Sequence, residues 1–172
     1  MLTGGQPNLK GLKMFKTERI SQTATIHLNG RFDQVFPLFG PVREKDWAAG
    51  WDPHILLCDS DNIAEHMVFQ THSHLEDETG LYTWTVSRYT PEQGLIEYTV
   101  FADARLWWIM IHCDEREGEY CEASITYTFV GLNEVGNGRN KMALATMFKH
   151  DLKDWEHAIN HYLETGSLLP HP

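Results

Sequence analysis

From Arg19 to Asn29 the chain alternates. Ile20, Gln22, Ala24, Ile26 and Leu28 fall on one side, and Ser21, Thr23, Thr25 and His27 on the other. A period of two predicts a strand with one greasy and one polar face. After the Asn29-Gly30 turn the period changes. Phe32, Val35, Phe36 and Phe39 follow helical spacing and predict a short helix that Pro37 bends or ends. Gly40-Pro41 breaks the pattern, and residues 42–49 predict a second short helical turn. The period then returns to two. Strands are predicted at His54–Asp59, Ile63–His72, Leu81–Tyr89, Leu95–Ala102 and Arg105–Asp114, with a last one bearing Cys121, Ala123, Ile125, Tyr127 and Phe129 on its inner face. Short turns between consecutive strands require an antiparallel meander.

The closing stretch, Arg139 to Thr165, is helical in period. Ala145, Phe148, Leu152, Trp155, Ile159 and Tyr162 recur in steps of three and four, winding onto one side of a helix roughly 40 Å long. Asn137 or Asn140 can cap its start, and Gly166 can end it in a left-handed turn. The predicted fold class is α+β. A seven-stranded curved antiparallel sheet wraps around a long C-terminal helix, with two short helices after the first strand. Residues 1–18 read as a loose N-terminal arm, 19–166 as a single domain and 167–172 as a C-terminal tail.

Composition narrows the function. At 172 residues the chain is long enough for one substantial core. Its net charge of −10 argues against nucleic acid, where lysine and arginine must replace phosphate counterions, and against an anionic membrane surface. No apolar run approaches the ~20 residues that span a bilayer, so no membrane insertion is expected. Residues 1–16 hold Lys10, Lys13 and Lys16 without the apolar core of a signal peptide. Cys58, Cys113 and Cys121 form no CxxC and leave an odd thiol; Cys113 and Cys121 can face each other across a hairpin. Reduced, packed thiols and a cytoplasmic location are the expectation.

The sequence Trp47-Ala48-Ala49-Gly50-Trp51-Asp52-Pro53 places two tryptophans four residues apart on a rigid turn. Together with Phe36-Pro37-Leu38-Phe39 and the order of elements, it resembles small bacterial members of the START/SRPBCC superfamily, over roughly residues 19–166. The resemblance implies the helix-grip fold of START lipid-transfer domains and polyketide cyclase/dehydrase-like proteins. It also implies a cavity between sheet and C-terminal helix for an apolar or aromatic small molecule. It implies no particular reaction, since carriers, sensors, cyclases and ring-hydroxylase subunits share that scaffold. No Rieske-type Cys/His set is present, and no cyclase catalytic set can be matched residue by residue. The tryptophan motif itself reads better as a structural anchor.

Inward positions on the predicted strands and helix nominate Met67, Phe69, Tyr82, Trp84, Tyr98, Val100, Trp107, Ile109, Tyr127, Phe129, Phe148, Leu152 and Trp155 as ligand-binding candidates. Any one of them alone reads as ordinary core. As a set they are rich in aromatics, with Tyr82, Tyr98 and Tyr127 as hydrogen-bonding handles. His150, Asp154, His157 and His161 form a helical stripe of metal-ligand type, but on the face away from the apolar row, where a solvated surface is the better reading. His72 and His74, with Glu76 and Asp77 beside them, read as an exposed loop, and His112 points opposite to Trp107, Ile109 and Ile111. There is no HExxH, GxSxG, Walker loop or GxGxxG. No metal and no cofactor are expected. The expected partner is a hydrophobic, lipid- or polyketide-like small molecule, and a homodimer is compatible with the chain. A cyclase- or dehydratase-type enzyme acting in the same cavity is the alternative. A structural or interaction module with a vestigial cavity is the third.

Overall fold

A computed structural model describes residues 15–58, 62–73, 80–117 and 119–170. Strands β1 (Arg19–Leu28), β2 (His54–Leu57), β3 (Val68–His72), β4 (Leu81–Thr90), β5 (Leu95–Ala102), β6 (Arg105–Arg116) and β7 (Tyr120–Gly131) make one antiparallel, seven-stranded sheet. Its order is β1-β7-β6-β5-β4-β3-β2. The meander holds from β2 to β7, whereas β1 joins the far side, against β7. Complementary faces set that register. Ala24, Ile26 and Leu28 lie opposite Ile125, Ala123 and Cys121, all buried. On the other face the Thr23 and Thr126 hydroxyls meet at 2.8 Å, and those of Ser21 and Thr128 at 2.9 Å. A one-residue slip would turn this hydroxyl row into the core.

Helix α1 (Phe32–Val35) runs directly into a 3-10 turn, Phe36–Phe39, with Pro37 in its first turn, where a missing N–H costs nothing. A second 3-10 turn spans Glu44–Asp46. The tryptophan motif that follows is tied back by its indoles. Trp47 Nε1 donates to the Leu38 carbonyl at 2.8 Å, and Trp51 Nε1 to the Pro41 carbonyl at 2.7 Å. The strand predicted from Ile63 begins only at Val68, because residues 62–67 turn, with His66 in a left-handed conformation (φ 69°).

The helix predicted as continuous from Arg139 to Thr165 is two helices, α2 (Glu134–Met147) and α3 (Lys153–Thr165). Asp151 (φ 49°) and Leu152 (φ 56°) are left-handed and break it. The break lets Phe148 and Leu152 both bury while α2 and α3 cover different parts of the sheet. Neither Asn137 nor Asn140 caps the start. Asn133 does, its side chain accepting from the Gly136 N–H. Asn137 lies inside α2 and holds the chain ahead of β1, accepting from Glu18 N at 3.1 Å and donating to the Lys16 carbonyl at 3.0 Å. A Cβ on Gly136 would stand 1.8 Å from the Ala104 carbonyl oxygen, so glycine alone lets α2 start this close to the β5–β6 turn. Gly166 ends α3 in the left-handed conformation (φ 70°) that the sequence predicts.

Helix α3 clamps the end of β1. Glu156 accepts from His27 N at 2.8 Å, Asn160 accepts from Asn29 N at 2.7 Å, and Asn160 Nδ2 donates to the His27 carbonyl at 2.9 Å. Its Ile159 is fully buried, and the Trp155 ring packs edge-on against Trp47 at 5.3 Å. No helix among the described residues is long and apolar enough to cross a membrane.

Three substitutions test this arrangement by denaturant melts. Trp155→Ala should cost about 3 kcal/mol, and His157→Ala, on the exposed side of α3, less than about 0.5 kcal/mol. Asp151→Gly should be neutral or stabilising by up to about 1 kcal/mol, because it removes a left-handed non-glycine residue. In an unbroken helix the same change would cost about 1 kcal/mol.

Candidate ligand cavity

The concave face of the sheet and the underside of α2 enclose a cavity of about 350 Å³. Aromatic rings form most of its wall: Trp51, Tyr82, Trp84, Trp107, Tyr127 and Phe129. Alternation along β4, β6 and β7 points these side chains inward, and they pack in sequence. Trp84 meets Trp51 at 5.4 Å, Tyr82 meets Trp107 at 5.0 Å, and Tyr127 stacks on Phe129 at 5.9 Å. Arg139, Met142, Ala143, Thr146 and Met147 close the roof, spaced so that one side of α2 faces the cavity. Other depressions lie on the outer sheet face and along α3, and neither gathers an aromatic wall around a buried cation.

That cation is Arg105, only 3% exposed. Its guanidinium lies over the Trp107 ring at 4.8 Å and donates from Nη2 to the Tyr82 hydroxyl at 3.0 Å. Tyr82 also shares a 2.9 Å hydrogen bond with Ser73, and Trp84 Nε1 donates to Thr71 at 3.0 Å. The wall therefore presents oriented polar groups within an apolar surface.

Below Trp84 and Tyr127, which line both spaces, lies a second void of about 20 Å³. It is bounded by Phe39, Tyr98, Ile109, Ile111, Trp155 and the carboxyl-bearing Glu44. Tyr98 donates its hydroxyl to the Phe39 carbonyl at 2.6 Å. Glu44 keeps part of its surface open, but protein hems in its carboxyl, and that packing governs ionisation. Burial pushes the Glu44 carboxyl up to about 8. Burial, and then the nearby Glu44, raise both Tyr98 and Tyr127 well above the ordinary tyrosine range.

The sequence-nominated residues divide between these spaces. Tyr82, Trp84, Trp107, Tyr127 and Phe129 line the larger cavity; Tyr98, Ile109 and Trp155 line the small void. Met67, Phe69, Val100, Phe148 and Leu152 line neither and pack as core. Leu152 is turned away because the helix breaks at that position. Thr71, Arg105, Arg139 and Glu44 are absent from the nominated set, since a polar or charged residue reads as surface. The roof is missed as well, because the apolar row through Ala145, Phe148 and Leu152 marks a different side of the helix from Arg139, Met142, Ala143, Thr146 and Met147. Trp51, singled out as an anchor, is both anchor and wall.

The histidine readings also find their places. His150 sits in the link between α2 and α3, out of the helical stripe that Asp154, His157 and His161 keep. His72 is exposed at the end of β3, while His74, Glu76 and Asp77 lie outside the described residues. His112 is on the outer face, 3.5 Å from Asp114. Cys113 and Cys121 are buried thiols on adjoining strands, offset in register.

No protein-family model matches the sequence, and no curated protein matches it. Solved structures do match in shape. A truncated norcoclaurine synthase from Thalictrum flavum superposes with a TM-score of 0.64 at 11% identity, covering 90% of this chain and 98% of that one. The Zhui aromatase/cyclase from Streptomyces sp. R1128 gives 0.62 at 13% identity, covering 87% and 94%. A putative uncharacterized protein from Rhizobium leguminosarum gives 0.61 at 12% identity, covering 86% and 99%. The fold is the helix-grip fold. At these identities the likeness is one of fold, and the helix-grip scaffold is what places the cavity between sheet and helix. Another structure of the Thalictrum flavum helix-grip protein holds dopamine and hydroxybenzaldehyde.

The buried Glu44 makes a pH-dependent prediction. A carboxyl whose folded pKa is raised stabilises the fold below its unfolded value of 4.5, and that stability is lost as pH rises through about 8. Between about pH 5 and 9 the wild type should lose on the order of 3 kcal/mol relative to Glu44→Gln, which cannot ionise. Paired denaturant melts across that range check it, and parallel curves would place the Glu44 carboxyl in solvent.

Proposed function

We propose that this protein binds a small aromatic or apolar molecule carrying a hydrogen-bond acceptor, in the cavity between sheet and α2. The observation that carries the reading is a buried cation set in an aromatic wall: Arg105 over Trp107, lining a space of about 350 Å³. Apolar walls supply affinity through burial, about 25 cal/mol per Å² of ligand surface removed from water. A guanidinium in such a setting orients an acceptor oxygen and rejects a ligand that lacks one. The volume sits at the low end of small-molecule sites and suits a compact ring system better than a long lipid chain. A vestigial cavity in a structural module is the weaker reading, since it leaves the aromatic-lined space of about 350 Å³ without a purpose. The cyclase-type reading is favoured by one feature, the carboxyl of Glu44 beneath the cavity.

Two dyes test the binding reading. The folded protein should bind both neutral Nile red and the anionic anilinonaphthalene sulfonate with one-to-one stoichiometry. Ala143→Trp, which fills the roof, should abolish binding of both while the protein stays folded. Arg105→Met should weaken the anionic dye by roughly tenfold or more and leave the neutral one within about twofold. Fluorescence titration reads both effects. Absence of stoichiometric binding by the native protein would remove the ligand-site reading.

A further inference from the structure

We infer that the Glu44 carboxyl and the Tyr127 hydroxyl form a proton-transfer site at the inner end of the cavity, acting on a compact ketone whose carbonyl oxygen lies against Arg105. This rests on the ligand-site reading above and adds a reaction to it. Three observations converge. Tyr127 lines both the ligand cavity and the small void, and is 5% exposed. Its hydroxyl and the Glu44 carboxyl make no hydrogen bond among the described residues. Neither group is sealed in the core: each keeps some open surface, where water can supply the missing bond. The void of about 20 Å³ that they share with Tyr98 has room for one water molecule, and their oxygens supply the polar partners such a water needs.

The other end of the site is Arg105. Its guanidinium stands 5.9 Å from the Phe129 ring centre, and Tyr127 stacks on the same ring at 5.9 Å. A ligand lying along Phe129 therefore has a cation near one end and a proton-bearing hydroxyl near the other. In the reaction the C–H bond next to the carbonyl breaks. Its electron pair becomes the carbon–carbon double bond of the enolate, and the negative charge moves to the carbonyl oxygen beside Arg105. The proton passes to the Tyr127 oxygen as Tyr127 gives its own hydroxyl proton, through the bridging water, to the Glu44 carboxylate. Burial disfavours tyrosinate, so the two transfers move together. Reversal returns a proton from Glu44 to carbon, and no oxidant or cofactor enters the balance.

A carboxyl pushed up to about 8 exists in both states near neutral pH, as an acid–base residue needs. The ionisable groups facing it are Tyr98 from β5 and Tyr127 from β7, with Asp154 of α3 acting on Tyr127. On its own segment Arg43 is held by Asp46 at 2.6 Å and by Tyr162 of α3 at 3.3 Å, and Lys45 is exposed.

The probe is 2-tetralone, a bicyclic ketone with exchangeable protons beside its carbonyl. Its hydrogen–deuterium exchange in D2O is followed by proton NMR, and its binding by displacement of Nile red. The wild type should accelerate exchange roughly a hundredfold over Glu44→Gln and Tyr127→Phe, both of which preserve shape and should still bind the ketone. The difference between wild type and Glu44→Gln should grow with pH through about 8, a profile that a purely structural Glu44 would not produce. If 2-tetralone displaces the dye and all three proteins exchange it equally, the proton-transfer site is overturned while the binding reading stands. If the dye binds and 2-tetralone does not displace it, the ketone assignment is overturned. Failure of the native protein to bind the dye at all overturns the binding reading, and this inference with it.

Discussion

The edge-on contact of Trp47 with Trp155, 5.3 Å between ring centres, is the interaction on which the rest of the architecture depends. Trp47 is fixed at its other edge by the hydrogen bond from its indole to the Leu38 carbonyl. That pins the irregular segment between β1 and β2 to α3, and α3 in turn is hydrogen-bonded to the end of β1. Three segments distant in sequence are thus held around one indole pair. Burying two large aromatic surfaces together supplies both the apolar gain and the geometric preference that orient them. The break at Asp151 and Leu152 follows from the same constraint. A straight helix could not both roof the cavity and bring Trp155 onto Trp47, so two left-handed residues absorb the bend.

With α3 occupied in closing the end of the sheet, α2 is left to face the concave surface. It is a weakly apolar helix with Gly136 and Gly138 in its first half, and its first turn approaches the sheet closely, Gly136 against Ala104 and Asn137 against Gly131. Beyond that contact it stands over rings that are too bulky to let it settle, and the space that results is the cavity. The polar groups within are those with support behind them. Arg105 rests on Trp107 and Tyr82, and Thr71 receives the Trp84 indole. Glu44 differs, because the packing around it withdraws water without offering a hydrogen bond in return. That contrast separates a supported binding wall from a group held ready for protonation.

The helix-grip scaffold accounts for the position of the cavity and not for its chemistry. Proteins that superpose on this chain at 11–13% identity include a norcoclaurine synthase and an aromatase/cyclase. At that distance the side chains lining the cavity are this chain's own. The chemistry open to the cavity is therefore that of Arg105, Glu44 and Tyr127 as they stand here.

The periods of the chain were enough to find the seven strands, though not the late start of β3 or the seat of β1 against β7. Alternation from Ile20 to Leu28 and from Cys121 to Phe129 identifies strands and their inner faces, because side chains on a strand point up and down in turn whatever surrounds them. The same local rule made the aromatic wall at Tyr82, Trp84, Trp107, Tyr127 and Phe129 legible. Tertiary structure decided the rest. The apolar row from Phe148 to Tyr162 satisfies a helical period across residues 148–152, yet the helix breaks there. Burying Phe148 and Leu152, with Trp155 packed half-buried beside Trp47, outweighs roughly 1–2 kcal/mol of left-handed strain per residue. No local pattern encodes that competition. Arg105 and Glu44 were hidden for a related reason. Whether a charged side chain faces water or a cavity depends on which distant rings meet it, and in this protein those rings come from β4, β6 and β7 for Arg105 and from β4, β5, β7 and α3 for Glu44.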